Sequence, residues 1–389
     1  MLVVYVLFTL SLITIFWAMI GYDLSLRLIY PIFKNRSKIS KNQDIKARNT
    51  SVTLMIVAHN EEKVIKQKLQ NAISIKYPKN LMEILVTSDN STDRTNEIVL
   101  EFIKGNPNEN IRLFKVSERK GKTNAQNEAQ KTVKSEILVM TDANSMFEEN
   151  AVMELVDYFD KDNIAYVCGQ LKYINKDDSP ASASEVTYWS KELKTRYIES
   201  ELKSIVSGNG AIYACRNNLY KDFDPIESHD SAMPKYYVLN KMKALYNPNA
   251  IAYEKAGESF EDEFKRKVRM NRNIVKNLIP PLKVLNIFKY GWYTYVYLGH
   301  KTARSNLGIA HIVLLVTNII ISINNIYFIP ILFLHILFYL FALTGRKIKF
   351  ILFRLPYYYA LTIYAQIVGI YNGITGKSKP FWEKAESTR

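Results

Sequence analysis

Three clusters of acidic, amide and hydroxyl residues each follow an apolar run of the chain. They are His59-Asn60-Glu61-Glu62, Ser88-Asp89-Asn90-Ser91-Thr92-Asp93 and Asp142-Ala143-Asn144. Carboxylates in such clusters can accept hydrogen bonds from the imide and hydroxyl groups of a ligand, which an apolar side chain cannot do. The same residue types also form turns and helix caps, so Thr92 or Asp93 alone could simply cap a following helix.

The elements that carry these clusters alternate between strands and helices. The apolar runs predict strands over 52–58, 84–86, 111–116, 137–140 and 164–169, and helical periods fall at 64–73, 97–103 and 123–132. This order predicts an α/β domain in which helices cover both faces of a mostly parallel sheet. Because ligands of such sheets bind beyond the carboxyl ends of the strands, one crevice could gather all three clusters.

Of the 389 residues, 48% are hydrophobic, and the longest apolar runs lie at the two ends of the chain. The run 2–20 lacks a preceding basic residue and a following small-residue cleavage site, which favours a retained anchor over a signal peptide. The run 307–343 is interrupted by Asn324-Asn325 and predicts two short helices in a hairpin. The run 351–370 contains Pro356, which favours a broken or interface-lying helix over a full crossing.

The net charge of +15 comes mainly from basic residues that border the apolar segments. They do not interleave with a stacking platform, so anionic membrane lipids explain them better than nucleic acid does. By the positive-inside rule, the basic segment after the first anchor places the following domain in the cytoplasm. We therefore expect an anchor at 1–22, a basic linker at 23–50, an α/β domain at 51–275, amphipathic interface helices at 276–305 and a membrane region with a short tail at 306–389. The only cysteines, Cys168 and Cys215, are expected to be buried thiols.

Together the three clusters resemble the family-2 glycosyltransferases of the GT-A fold. Those enzymes open with a strand ending in an Asn-Glu pair and continue to a Ser-Asp-x-Ser-Thr-Asp turn, and the likeness here covers about 52–272. It implies a Rossmann-like cytoplasmic GT-A domain, with transmembrane helices at both ends, that binds a nucleotide-sugar donor. Glu61 and Asp89 would contact the uracil and ribose, and Asn90 stands where the family usually has glycine. The other implied donor residues of these turns are His59, Asn60, Ser91 and Asp93.

Two further segments match donor-binding motifs of this family. The segment 118–127 resembles its basic, glycine-containing entry to a helix, so Lys120, Lys122 and Asn127 would help to hold the donor, whose diphosphate suits a helix N-terminus. Asp142-Ala143-Asn144 corresponds to its Asp-x-Asp motif, which implies Mg²⁺ or Mn²⁺ bridging the diphosphate oxygens. Asp142 would supply charge to this cation and Asn144 a neutral amide oxygen.

The resemblance also implies an acceptor half and a catalytic base. Trp189 and the segment Gly208-Asn209-Gly210 would face the acceptor sugar, although the glycines also suit a plain turn. Asp230 matches the general base of an inverting transfer, which removes the proton of the attacking hydroxyl. His229 precedes it where the family usually has an acidic residue, and we expect an exposed histidine at a helix start rather than one that positions Asp230.

The segment 261–270 parallels the Gln-x-x-Arg-Trp motif of processive polysaccharide synthases, but only Arg269 matches it. By resemblance Arg269 would neutralise the diphosphate; alternatively, Arg266 and Arg269 belong to a solvated basic helix. The absence of the tryptophan favours a single-sugar transferase over a processive one. The membrane helices favour a lipid-linked, specifically polyprenyl-linked, glycan acceptor, because they would hold the site at the bilayer surface. The alternatives are a processive exopolysaccharide synthase and an inactive scaffold, the latter disfavoured by the acidic groups at the strand ends.

Overall fold

The computed structural model of the protein describes residues 1–34, 49–174, 180–257, 259–348 and 350–381. Most of the predicted basic linker and the end of the C-terminal tail therefore lie outside the described residues. The chain divides into two compact units. We call them the sheet unit (Tyr30–Ser259, Phe288–Tyr293 and Lys379–Arg389) and the helical unit (Met1–Ile29, Phe260–Ile287 and Thr294–Ser378).

Sixteen α-helices are present in the described part of the chain. They are α1 (Leu2–Phe16), α2 (Tyr22–Phe33), α3 (Ile65–Ile73), α4 (Thr95–Gly105), α5 (Lys122–Gln130), α6 (Ala151–Val156), α7 (Pro180–Leu202), α8 (His229–Leu239), α9 (Phe260–Met270), α10 (Val275–Leu278), α11 (Ile287–Tyr290), α12 (Trp292–Val296), α13 (Ala303–Ser305), α14 (Leu307–Asn324), α15 (Ile329–Thr344) and α16 (Ile351–Ile374). A π-helical turn at Trp17–Gly21 joins α1 to α2, and a second covers Tyr297–Thr302.

The sheet unit is built on a mixed eight-stranded sheet with the order β3-β2-β1-β4-β7-β6-β8-β5. The strands are β1 (Val52–Ala58), β2 (Met82–Ser88), β3 (Ile111–Lys115), β4 (Ile137–Asp142), β5 (Met146–Phe147), β6 (Ile164–Tyr173), β7 (Ile212–Arg216) and β8 (Lys243–Glu254). The expected parallel arrangement holds for β3, β2, β1 and β4, while β7 pairs antiparallel with both β4 and β6. The α/β class and the strand positions in the first half are thus confirmed.

The parallel half of the sheet brings the polar clusters to one edge. Every residue of β1 is buried, which is typical of a central strand with helices on both faces. In its register, Ala58 pairs with Ser88 and Val57 pairs with Asp142. The first residues after β1 and β2 and the last residue of β4 therefore lie side by side at the carboxyl edge.

The helical unit contains the apolar ends of the chain. Three helical segments among the described residues are long and apolar enough to cross a membrane: Leu2–Phe33, Leu307–Asn324 and Ile326–Thr344. Their surfaces expose large apolar side chains, for example Leu334 at 63%, which suits contact with lipid, and the protein is membrane-associated. Of the two forms expected for 351–370, the broken helix is wrong, because α16 runs unbroken through Pro356; the interface-lying helix stays a prediction. Pro356 is the sixth residue of α16, just past its first turn, and its missing N–H costs one helical hydrogen bond.

Candidate active site

The turns after β1 and β2 are fastened to each other by side-chain hydrogen bonds. Asn60 and Asn90 have left-handed backbones with φ of 54° and 52°, a conformation that asparagine tolerates better than most residues. The Asn60 N–H donates to Ser91 Oγ at 3.1 Å, and the Thr92 N–H donates to Asn60 Oδ1 at 2.8 Å. Asn60 and Ser91 therefore shape the edge of the site through their contacts with each other.

The capping interpretation of Asp93 is confirmed. Its Oδ1 accepts from the Thr95 N–H at 2.9 Å at the start of α4, and its Oδ2 accepts from the Glu62 N–H at 3.1 Å. Thr95 Oγ1 in turn accepts from the Glu61 N–H at 2.7 Å. These bonds fix the backbone of Glu61, whose side chain is buried at this edge.

Asp89 joins the second turn to the basic loop before α5. Its carboxylate accepts hydrogen bonds from the backbone N–H groups of Lys120 at 3.2 Å and Gly121 at 3.0 Å. Gly121 has φ of 94°, which a side chain would strain. Burial raises the pKa of Asp89, and the two N–H donors and the nearby His59 and Arg119 charges partly oppose that rise. The sequence did not indicate that Asp89 holds the loop that carries Lys120.

Four residues from separate elements meet at the centre of the site. Lys122 Nζ lies 2.5 Å from Asp142 Oδ1 and 2.9 Å from the Gly210 carbonyl oxygen. A Cβ placed on Gly210 would lie 3.9 Å from both Asp142 Oδ2 and the carboxyl carbon of Asp230. The motif carboxylate, a lysine at a helix start and the predicted base thus surround one glycine.

His229 is buried beside this centre, so the expectation of an exposed histidine was wrong. Its ring nitrogens lie 2.9 Å from Gln126 Oε1 and 2.9 Å from Asn127 Oδ1, and Tyr220 Oη lies 2.8 Å from Nε2. Burial, helped by the Lys122 charge, lowers the pKa of His229 to about 3, and the ring is neutral at pH 7. It fastens α8, and with it Asp230, to α5.

Two predicted ligand residues use their side chains within the protein. Asn127 donates to the Phe223 carbonyl at 2.9 Å in addition to its contact with His229. Asn209 donates to the Gly169 carbonyl at 2.8 Å and accepts from the N–H groups of Ala211 and Ile212. Both side chains therefore hold neighbouring backbone segments of the site in place.

A buried lysine that the sequence did not indicate lies behind the metal motif. Lys68 on α3 is fully buried, and its ammonium donates to Thr141 Oγ1 at 3.1 Å and to the Ser145 carbonyl, one residue to either side of Asp142-Ala143-Asn144. Burial lowers its pKa to about 7, and the Asp142 and Glu254 charges oppose that change. Only the tertiary fold places this helix residue under the turn.

The residues of the Asp142-Ala143-Asn144 turn fit a hard divalent cation. A cationic group already lies on Asp142, namely the Lys122 ammonium, and the Asn144 amide donates through Nδ2 to Glu254 Oε1 at 2.5 Å, which leaves Asn144 Oδ1 to accept. In the part of the chain that the structure describes, no group of three or more His, Cys, Asp or Glu residues could hold a metal ion. The protein thus offers a carboxylate and an amide, and other ligands must come from a bound molecule.

Two predicted residues are not brought to this centre by the described contacts. Arg269 belongs to α9 in the helical unit, and the side chain of Trp189 on α7 lies outside the described residues. Their roles stay predictions. Cys168 and Cys215 are buried free thiols, as expected.

The sheet order and the strand-end carboxylates define an α/β domain of the GT-A fold. A mannosyltransferase from Pyrobaculum calidifontis, solved with GDP-mannose and Mn²⁺, matches with a TM-score of 0.65 at 16% identity, over 95% of this chain and 99% of that one. Residues 53–223 match the family model described as Glycosyl transferase family 2. The chain thus contains a domain that matches that family over residues 53–223.

Curated relatives show the same likeness at the level of sequence. The poly-beta-1,6-N-acetyl-D-glucosamine synthase of Staphylococcus epidermidis is 23% identical over 266 residues, which cover 66% of this chain and 63% of the relative. A probable glycosyltransferase of Bacillus subtilis, YdaM, is 33% identical over 152 residues, which cover 39% of this chain and 33% of the relative. The chain thus spans less than two thirds of the length of either relative.

Proposed function

We propose that this protein is an inverting glycosyltransferase that moves a sugar from a nucleotide sugar to a membrane-associated glycan. The observation that carries the proposal is the meeting of Lys122, Asp142 and Asp230 around Gly210. In a sugar transfer, a cation-binding carboxylate and a lysine would stabilise the departing diphosphate. A second carboxylate beside the same glycine would accept the proton of the attacking hydroxyl. An inactive scaffold has no need of this arrangement.

The donor would lie along the edge made by β1, β2 and the loop before α5. Glu61 and Asp89 supply buried carboxylates for the hydrogen bonds of a base and a ribose, and Lys120 and Lys122 supply charge for the diphosphate. The family resemblance favours uracil as the base of the donor. The mannosyltransferase of the same fold was solved with GDP-mannose, so GDP sugars belong in the test.

Asp142 and Asn144 would hold Mg²⁺ or Mn²⁺ on the diphosphate. When bound, such a cation neutralises charge that develops on the leaving diphosphate. Asp230, at the start of α8, would take the proton of the acceptor hydroxyl as that oxygen attacks the anomeric carbon. Inversion follows because the hydroxyl attacks from the side opposite the diphosphate. Gly210, which faces Lys122, Asp142 and Asp230, leaves room for the acceptor sugar.

The acceptor is proposed to be a polyprenyl-linked glycan at the cytoplasmic surface of the membrane. The apolar segments Leu2–Phe33, Leu307–Asn324 and Ile326–Thr344 support a membrane location for the substrate. The basic residues that follow the first segment support a cytoplasmic sheet unit. A second candidate, processive synthesis, is supported by the likeness to the poly-beta-1,6-N-acetyl-D-glucosamine synthase.

The test is donor-dependent nucleotide release by the purified full chain in nanodiscs, with a panel of UDP and GDP sugars and a membrane-lipid extract as acceptor source. We expect release with one sugar class and transfer of a single residue, read by mass spectrometry of the lipid product. A ladder of products would instead establish the processive candidate. No release with any donor, from a protein that remains folded, would refute the proposed function.

A further inference from the structure

Lys122 contacts one oxygen of the carboxylate on which a metal ion would depend, that of Asp142. Its ammonium lies 2.5 Å from Asp142 Oδ1, and the Gly210 carbonyl holds it from the other side at 2.9 Å. The two side chains are partly shielded, with 20% of Lys122 and 33% of Asp142 exposed. The contact is therefore a partly buried ion pair at the centre of the site, held in place by the Gly210 carbonyl, and it is less exposed to solvent than the ion pairs of the surface.

Asp142 is the only charged residue of its motif, since Asn144 contributes a neutral amide. A divalent cation that coordinates the Asp142 carboxylate directly must come close to its oxygens, to about 2.0–2.1 Å for Mg²⁺. An ammonium hydrogen-bonded to the same carboxylate repels such a cation and competes for its lone pairs. The Lys122–Asp142 pair thus opposes metal binding to the nucleotide-free protein.

A diphosphate provides the alternative partner that Lys122 needs. Lys122 is the first residue of α5, directly after Gly121, where backbone N–H groups and the helix dipole favour an anion. A lysine side chain is flexible and binds phosphate as a point charge. A nucleoside diphosphate at this helix start would draw the ammonium from Asp142 to its own oxygens and would add ligands for the metal.

We propose, on the basis of the proposed function, that Lys122 is a latch that makes metal binding depend on the nucleotide. Without nucleotide, the latch closes on Asp142 and weakens the metal site. With nucleotide, Lys122 moves to the diphosphate, and Asp142 becomes available together with the phosphate oxygens. The metal and the nucleotide therefore bind with strong positive coupling, and Lys122 is a positioning residue that sets its size.

The experiment measures Mn²⁺ affinity by electron paramagnetic resonance of free Mn²⁺, on the full chain in nanodiscs, with Mn²⁺ alone and with UDP or GDP added. In Lys122→Met we expect Mn²⁺ alone to bind about tenfold more tightly than in the wild type. Added nucleotide should strengthen Mn²⁺ binding to the wild type by a factor within the usual 5–150-fold range of coupling, and should strengthen it far less in Lys122→Met. Lys122→Arg keeps the cation and should resemble the wild type with Mn²⁺ alone.

Lys131→Met is the matched control, because it removes one exposed lysine from the other end of α5. It should leave both affinities within about twofold. The latch would be overturned if Lys122→Met, without nucleotide, bound Mn²⁺ no more tightly than the wild type does. If Lys122→Met folds poorly, Lys122→Gln repeats the test with a polar side chain. If the wild type instead bound neither UDP nor GDP, the proposed function would be refuted, and the latch with it.

Discussion

The backbone N–H of Gly208 donates a 2.7 Å hydrogen bond to the backbone carbonyl of Asp230. This bond ties the glycine-rich loop before β7 to the first turn of α8. A Cβ on Gly208 would collide with the Tyr166 hydroxyl, so glycine is required where the loop passes that ring. The loop and the Asp230 carboxylate are consequently held as one surface, which is the surface where we place the acceptor.

Asp230→Asn should abolish most turnover while donor binding persists. The substitution keeps shape and hydrogen bonding but removes basicity, and general-base catalysis contributes about 10²–10⁴-fold. The check is turnover beside a separate nucleotide-binding titration on the same purified variant. Asp222→Asn, which changes an exposed carboxylate on the preceding loop, is the control and should keep full activity.

A loss below about tenfold in Asp230→Asn, or a parallel loss of nucleotide binding, would rule out Asp230 as the base. Attention would then pass to Glu227 or Asp224, which precede α8 in the same loop.

Gly210→Ala should reduce turnover without unfolding the protein. Its new methyl group would lie 3.0 Å from Lys122 Nζ and 3.9 Å from the Asp230 carboxyl carbon, so the ammonium must shift. Small displacements of catalytic groups cost on the order of 10–10²-fold. Gly105→Ala is the matched control, because no atom lies within 4 Å of its added Cβ. Equal turnover in both variants would show that the centre tolerates the methyl group.

Asp142→Ala should abolish transfer and weaken donor binding, because it removes the only carboxylate of the metal motif. Binding of uridine or guanosine, which lack the diphosphate, should be retained, since Glu61 and Asp89 are unchanged. Asp162→Ala, an exposed carboxylate before β6, controls for loss of charge. Transfer that survives both Asp142→Ala and EDTA would exclude the metal role.

Much of the first half of the sheet unit could be predicted because its signals are local. The predicted strand 52–58 coincides with β1, and the runs at 84–86 and 137–140 fall within β2 and β4. The placement of Glu61, Asp89 and Asp142 at one edge followed from parallel pairing alone. Asn90 adopts the left-handed turn that its residue type allowed.

The remainder depended on contacts between residues far apart in sequence. Lys68 is a lysine on an amphipathic helix, and no local signal distinguishes it from an exposed one. The burial of His229 arises from α5, which begins more than 100 residues earlier. The pattern of a strand also does not show the direction in which it pairs, so the antiparallel pairing of β7 with β4 could not be predicted.

The proposed orientation predicts that an impermeant thiol reagent labels a cysteine at Asn324 from outside intact cells but not one at Ser387. Asn324 ends α14 at the turn of the hairpin, whereas Ser387 follows α16. Background should be low, because Cys168 and Cys215 are buried and burial raises the pKa of both thiols, that of Cys215 to about 12. Labelling at Ser387 would show that α16 crosses the membrane completely.

His229 predicts an acid limit to the stability of the sheet unit. Burial lowers its pKa to about 3 in the folded protein, against an ordinary value of 6.5. Below pH 6.5 the unfolded chain therefore binds a proton that the folded chain refuses, and stability falls as the pH decreases from 6.5 toward 3. The linkage amounts to about 1 kcal/mol between pH 7.5 and 5.5. We expect His229→Gln to be less stable at pH 7.5, because its hydrogen bonds to Gln126 and Asn127 change, but to lose less stability on acidification. Melting temperatures of the wild type and His229→Gln at both pH values provide the comparison, and parallel decreases in the two proteins would show that other groups set the acid limit.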